Sequence, residues 1–174
     1  MRLFVAIPIP AEIRKRIWAA AEPFEERGIK LVEMENYHIT LQFIGEFKDV
    51  HKVISALRRV PFEPIEVKIA GSGGFPTKER PRVIWIGAEN EQGKLRELTE
   101  AVGKALDEEG IPHDEKPFHG HVTVARVKKP VKELMEAVHR DFGQFRADFF
   151  ALYQSTLTPE GPIYREIARF GEGR

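Results

Sequence analysis

Two tetrads with the spacing His-x-Thr occur in this chain, HITL from His38 to Leu41 and HVTV from His121 to Val124. A shift of 83 residues, close to half of the 174-residue length, carries the first tetrad onto the second. Each lies in a segment with strand character, and after each the pattern predicts a helix and two further strands. We interpret this as a diverged internal duplication, with ordinary recurrence of α and β elements as the alternative. A duplication restricts the fold to two halves that contain the same elements in the same order.

The pattern of apolar residues predicts mixed α and β structure along the whole chain. The glycine-rich segment GSGGFP, residues 71–76, lacks the lysine of a phosphate-binding P-loop and is predicted to be a turn. The first predicted helix can end at Gly28. Predicted strands cover residues 2–8, 37–45, 64–71, 82–88, 118–127, 144–155 and 162–170, and predicted helices cover residues 11–27, 49–59, 91–109 and 131–142.

The charge balance narrows the ways in which this chain can bind an anion. With 27 Lys and Arg against 27 Asp and Glu, the formal net charge is zero, so an anionic ligand must be held by local contacts. There are 0 Cys, which excludes disulfides and thiolate metal sites. No apolar run approaches the ~20 residues of a membrane span, and the first residues do not resemble a signal peptide. We therefore expect a soluble, cytoplasmic protein.

In a strand, residues two positions apart point to the same face. In the first tetrad His38 and Thr40 therefore share one face, and in the second His121 and Thr123 do the same. Apolar residues fill the opposite faces, so each strand offers an imidazole and a hydroxyl side by side. A single strand of this kind is most simply a solvent face, but two copies favour a shared site.

Two imidazoles and two hydroxyls suit displacement at phosphorus. One imidazole can accept the proton of an incoming nucleophile near neutral pH while the other gives a proton to the leaving oxygen. The hydroxyls can donate hydrogen bonds to the non-bridging phosphate oxygens. A strained, singly charged cyclic phosphate fits this arrangement, and no cofactor is required.

The two tetrads and the segments around them resemble a known family. HITL and HVTV are similar to the paired HxTx motifs of the two-histidine phosphoesterases, and the chain as a whole resembles the LigT-like RNA 2',3'-cyclic phosphodiesterases, or 2'-5' RNA ligases. The similarity extends from MRLFVAIPIP through PRVIWIG to LYQSTLTPEGPIYREIARF. It implies an α+β, bilobal fold with approximate twofold symmetry, in which each lobe is an antiparallel sheet backed by helices and the motifs meet in a cleft. Residues 1–174 would form one such two-lobed domain.

The resemblance also implies an activity, the opening of a 2',3'-cyclic phosphate to a 2'-phosphate without a metal ion. His38 would donate a proton to the 3' oxygen, His121 would activate water, and Thr40 and Thr123 would hold the phosphate. Arg126 occupies a place similar to one in the family motif. The expected partners are RNA ends that bear the cyclic phosphate, including tRNA halves joined reversibly through a 2'-5' linkage, and the protein is expected to be a monomer.

Several residues near the motifs have a second interpretation. Arg126 is a candidate phosphate ligand, but strict strand alternation would turn it away from His121, so a surface or packing role is the alternative. Tyr164 and Trp85 could stack on a base, but Trp85 within VIWIG is predicted to belong to the core. The remaining isolated histidines, His51, His113 and His139, are predicted to be surface residues.

Two other functions stay open at the level of sequence. His119 departs from the family pattern and should share a face with His121, so a metal site formed by His38, His119 and His121 would make the protein a metal-dependent hydrolase. The paired threonines have no role in that scheme. The second alternative is a noncatalytic module that binds RNA ends.

Overall fold

The computed structural model describes residues 1–27 and 29–171, which form antiparallel strands and four α-helices. The helices are α1 (Ala11–Ala21), α2 (Val50–Arg58), α3 (Lys94–Glu108) and α4 (Lys132–Ala137). The strands are β1 (Arg2–Pro8), β2 (Lys30–Leu31), β3 (His38–Glu46), β4 (Ile65–Pro76), β5 (Pro81–Glu89), β6 (His121–Arg126), β7 (Asp141–Ala147), β8 (Phe149–Thr158) and β9 (Gly161–Gly171). Short 3-10 turns span Glu22–Arg27 and Met34–Asn36.

The strands form two halves that meet at the His-x-Thr strands. The order across the sheet is β7-β4-β5-β6-β3-β1-β8-β9, with the short β2 beside β6. All pairings are antiparallel, and β3 joins β6 through a single pair, Ile39 opposite Val122. Strand β4 pairs with β5 in one half of the sheet, while β8, near the end of the chain, pairs with β1 in the other half. The predicted bilobal α+β fold is thereby confirmed, with strands exchanged between its halves.

The helices cover the sheet because each carries an apolar stripe. In α3 the buried residues Leu95, Leu98, Val102 and Leu106 recur at the three- and four-residue intervals of one helix face. Burying one such leucine contributes about 1.5–3 kcal/mol relative to leaving it exposed. The helix ends beside Gly110, whose φ of 66° is left-handed and suits glycine. One continuous cluster of buried apolar side chains runs through both halves.

Three predicted elements differ from the structure for identifiable reasons. The helix predicted over residues 11–27 changes to a 3-10 turn at Glu22, where Pro23 follows and has no N–H to continue the helical pattern. Gly28, predicted to end it, lies outside the described residues. The single strand predicted over residues 144–155 is two strands, β7 and β8, which pair with β4 and β1 in opposite halves of the sheet. Because β7 begins at Asp141, α4 is shorter than predicted.

The glycine-rich segment is a strand, so the prediction of a turn is wrong. Strand β4 continues through residues 71–76 and pairs with β5. A Cβ on Gly73 would lie 2.4 Å from the indole ring of Trp85, and one on Gly74 would lie 2.5 Å from Pro81. These glycines are needed for the close approach of β5 side chains to the backbone of β4.

Candidate active site

Both His-x-Thr strands carry a β-bulge immediately after the threonine. On β3, Thr40 lies opposite Ala6 and Gln42 opposite Val5, which leaves Leu41 unpaired. On β6, Thr123 lies opposite Trp85 and Ala125 opposite Ile84, which leaves Val124 without a partner on β5. A bulge adds one residue to a strand and redirects the side chains that follow it. Since Leu41 and Val124 are equivalent under the shift of 83 residues, the repeat extends to the irregularities of the backbone.

A cavity of about 490 Å³ lies where the two strands meet. This volume is within the range of small-molecule sites. Its lining includes all of the residues that the sequence predicted for the site: His38, Thr40, His121, Thr123, Arg126 and Tyr164.

Arg126 reaches this cavity because of the bulge in β6. Strict alternation would turn it away from His121 and Thr123, but the extra residue shifts the alternation by one position. Val124 and Ala125 are consequently both buried, and Arg126 is exposed on the side that lines the cavity. The expectation that alternation directs Arg126 away from His121 is therefore wrong. On the other strand the equivalent residue is Phe43, which also lines the cavity.

The two imidazoles are held in the same way by the backbone. His38 Nδ1 lies 2.7 Å from the carbonyl oxygen of Asn36, and His121 Nδ1 lies 2.6 Å from that of His119. Because a carbonyl only accepts, Nδ1 carries the hydrogen in both rings and donates it. In the neutral rings Nε2 is then left with its lone pair. Thr40 Oγ1 lies 2.8 Å from Nε2 of His38 and can donate to it.

Burial favours the neutral form of both rings. It lowers the pKa of His38 from 6.5 to about 4, opposed by the hydrogen bond to Asn36 and reinforced by the proximity of His121. Burial also lowers the pKa of His121, opposed by its hydrogen bond to the His119 backbone and reinforced by the His119 imidazole. Without a bound anion, both histidines are therefore neutral at pH 7 and can accept a proton at Nε2.

Three basic residues, Arg2, Lys30 and Arg126, line the cavity together with the acidic Glu33 and Glu160. Burial raises the pKa of the Tyr164 hydroxyl, and Arg126 and Arg2 oppose that rise, so the phenol stays protonated at neutral pH. Arg2 lines the same cavity, and its guanidinium lies 4.9 Å from the centre of the Phe43 ring. Sequence reasoning missed Arg2 and Phe43. Alternation in β1 predicts that Arg2 and Phe4 share one face. The sequence does not show that β1 lies beside β3, so it does not show that this face lines the cavity.

Aromatic rings surround each histidine. Phe4 and Tyr164 lie 5.1 and 5.3 Å from the centre of the His38 ring. Around His121 the neighbours are Phe75 at 5.0 Å, His119 at 5.8 Å and Trp85 at 6.0 Å.

His119 thus shares a face with His121, as predicted. Trp85 is only partly buried and lies 4.5 Å from His119, so its assignment to the core is wrong.

The other three histidines lie away from the cavity. His51 and His139 are exposed, as predicted. The side chain of His113 is 8% exposed, and its Nε2 lies 2.8 Å from a carboxylate oxygen of Asp107, so the prediction of a surface residue is wrong. In the described part of the chain, no three His, Asp or Glu side chains are arranged to hold a metal ion, and this includes His38, His119 and His121. None of the described helices has the length and apolar character that crossing a membrane requires.

Solved structures and curated proteins resemble this chain over nearly its full length. A structure from Thermus thermophilus has a TM-score of 0.81 and 31% identity, covering 98% of this chain and 97% of the other. The apo structure of Escherichia coli LigT, at 24% identity and a TM-score of 0.76, shares the fold over 98% of this chain and 96% of its own. The fold and the paired His-x-Thr cleft together define the class of two-histidine phosphoesterases.

The 2'-5' RNA ligase superfamily model matches residues 9–157, and the chain belongs to that family. A Methanocaldococcus jannaschii protein named RNA 2',3'-cyclic phosphodiesterase is 42% identical, with 96% of this chain and 98% of its own covered. One from Archaeoglobus fulgidus with the same name is 38% identical, with 98% of this chain and 99% of its own covered.

Proposed function

We propose that this protein is a metal-independent RNA 2',3'-cyclic phosphodiesterase that opens the terminal cyclic phosphate to a 2'-phosphate. The observation that carries the proposal is the pair of equivalent imidazoles, His38 and His121, which face one cavity with their Nδ1 atoms engaged by the backbone. The names of the Methanocaldococcus jannaschii and Archaeoglobus fulgidus relatives support the same activity.

In the proposed reaction the two histidines exchange protons with opposite sides of the phosphorus. His121 Nε2 takes a proton from water, whose oxygen forms the new bond to phosphorus. The bond from phosphorus to the 3' oxygen breaks, and protonated His38 gives that oxygen its proton. Thr40 and Thr123 donate hydrogen bonds to the non-bridging oxygens, and Arg126 offsets their charge. Proton uptake by His38 accompanies binding of the anionic substrate, because a nearby negative charge favours the imidazolium.

The acid role of His38 requires proton uptake on substrate binding. Burial lowers its pKa to about 4 in the protein without substrate, so the anionic phosphate must favour the imidazolium before His38 can donate a proton. Burial also lowers the pKa of His121, which leaves Nε2 of that ring free to accept a proton from the nucleophile.

The same chemistry with a nucleoside 5'-hydroxyl in place of water would join two RNA ends through a 2'-5' linkage. We propose that the site supports this reaction as a second activity. RNA ends with a cyclic phosphate, tRNA halves among them, are the proposed substrates, and the proposed acting form is a cytoplasmic monomer.

A short RNA that ends in a 2',3'-cyclic phosphate provides the test, with separation of the 2'-phosphate product from the 3'-phosphate isomer. We expect conversion to the 2'-phosphate, at the same rate before and after exhaustive dialysis against chelator. His38→Ala serves as the control for a contaminating nuclease.

Loss of turnover on chelation, restored by zinc or manganese, would establish a metal-dependent hydrolase instead. Tight binding of the RNA end without turnover would establish a noncatalytic module.

A further inference from the structure

The two halves differ in how they cover their catalytic histidine. In the first half β9 pairs with β8 along its whole length and brings Tyr164 edge-on against His38, with 5.3 Å between the ring centres and planes at 88°. In the second half the corresponding outer strand, β7, pairs with β4 only from Ile65 to Ala70. Beyond that point Ser72 of β4 makes hydrogen bonds to Met135 of α4 and to His139, and no described strand pairs with the outer edge of β4 where Phe75 lies beside His121.

The surface beside His121 in the second half is aromatic. We call it the second-lobe platform and define it as Phe75, Trp85 and His119. The imidazole of His119 is exposed, and the other two rings are partly buried. His119 lies 4.5 Å from Trp85 and 5.4 Å from Phe75, so its inner side rests on rings.

Two glycines allow the close contacts beneath this platform. The Trp85 ring lies directly against Gly73, where a Cβ would come within 2.4 Å of two ring atoms. Gly120 separates His119 from His121, and a Cβ there would lie 2.1 Å from the carbonyl oxygen of Ala88. The backbone between the two histidines therefore lies directly against β5, where Ala88 N donates a hydrogen bond of 3.0 Å to the Gly120 carbonyl oxygen.

The platform lies beside the histidine that activates the nucleophile. The ring centres of His119 and His121 are 5.8 Å apart, a separation that the ribose of one nucleoside can span. Attack by water requires no aromatic surface, whereas a nucleobase can stack on one. The half that contains His38 would hold the nucleoside with the cyclic phosphate, and it has its own aromatic residues for that base: Phe4, Tyr153 and Tyr164.

We propose that the second-lobe platform binds the nucleobase of an RNA 5' end whose hydroxyl attacks the cyclic phosphate, with the base stacked on His119. This inference rests on the proposed function and assigns the acceptor side of that site. In the step, the 5'-hydroxyl gives its proton to His121 Nε2 and its oxygen bonds to phosphorus. The bond to the 3' oxygen breaks, and that oxygen takes the proton of His38, which leaves a 2'-5' phosphodiester.

The test is a competition between two products in one reaction. An RNA that ends in 2',3'-cyclic phosphate is incubated with increasing concentrations of an RNA that begins with a 5'-hydroxyl, and the ratio of 2'-5' joined product to hydrolysed product is measured. In His119→Ala we expect this ratio to fall about 5-fold to 150-fold, the range that one base stack contributes. His119→Phe should restore it, because a ring is retained although no proton can be exchanged.

His51→Ala is the matched control, since it removes an exposed histidine on α2. It should leave the ratio unchanged. If the intact protein hydrolyses the cyclic phosphate but gives no joined product at any acceptor concentration, or if His119→Ala leaves the ratio unchanged, the platform proposal is refuted while the phosphodiesterase stands. Absence of hydrolysis as well would refute the proposed function itself.

Discussion

The low pKa of His38 should make the stability of the folded protein depend on pH. Burial lowers this pKa from 6.5 to about 4. Because the folded value lies below the unfolded one, the unfolded chain takes up the proton first as the pH falls. The stabilisation is thus fully present above about pH 6.5 and is lost progressively down to about pH 4.

The size of the effect follows from the two pKa values. A difference of one pKa unit corresponds to about 1.4 kcal/mol. For a pKa lowered from 6.5 to about 4, the loss in the free energy of unfolding between pH 7 and pH 5 is about 2 kcal/mol. Such a loss is measurable against a typical stability of about 5–15 kcal/mol.

The assay is denaturant unfolding of the intact protein and of His38→Gln at pH 7 and pH 5. Titrating groups that do not interact with His38 contribute equally to both proteins and cancel in the comparison. We expect the free energy of unfolding of the intact protein, relative to His38→Gln, to be about 2 kcal/mol lower at pH 5 than at pH 7. An exposed control, His51→Gln, should show no such change. A relative stability that is the same at both pH values, within about 0.5 kcal/mol, would show that His38 is not held neutral by burial.

The other predictions concern catalysis. For a 2',3'-cyclic phosphate RNA, kcat/KM should have a bell-shaped pH profile with its maximum below about pH 6.5, because both histidine pKa values are lowered; a rate that climbs steadily to high pH would argue for hydroxide attack. His38→Ala should reduce turnover by about 10² to 10⁴, and the double variant with His121→Ala should lose less than the product of the single losses. If the loss of turnover in the double variant equalled the product of the two single losses, His38 and His121 would act in separate functions. His121→Ala should abolish nearly all hydrolysis while His119→Asn costs less than about tenfold, and equal damage would contradict a symmetric pair. Arg126→Gln should lower kcat/KM about 10-fold to 100-fold and weaken its dependence on salt, whereas unchanged kinetics would remove Arg126 from the site.

The sequence was sufficient to predict which motif residues line one cavity because its signal is local. The spacing His-x-Thr fixes which side chains share a strand face, and its recurrence after 83 residues pairs His38 with His121 and Thr40 with Thr123. All four line the cavity. The bounds of β1 were also predicted correctly, since an apolar run that ends at a proline depends only on neighbouring residues.

The tertiary structure decided the features that depend on pairing between distant segments. The separation of residues 144–155 into β7 and β8 depends on edges offered by β4 and β1, which lie far away in sequence. The glycine-rich segment is a strand because it pairs with β5, and Gly73 is required there because Trp85 occupies the space that a side chain would need.

The positions of Arg126 and Arg2 at the cavity were also decided by pairing between distant strands. Arg126 faces the cavity through a bulge that exists only because Thr123 and Ala125 pair with consecutive residues of β5. Arg2 contributes its charge because β1 lies beside β3. Alternation within one strand can be read along the chain, but registers and bulges are set by the partner strand. Their energies come from contacts between residues far apart in sequence.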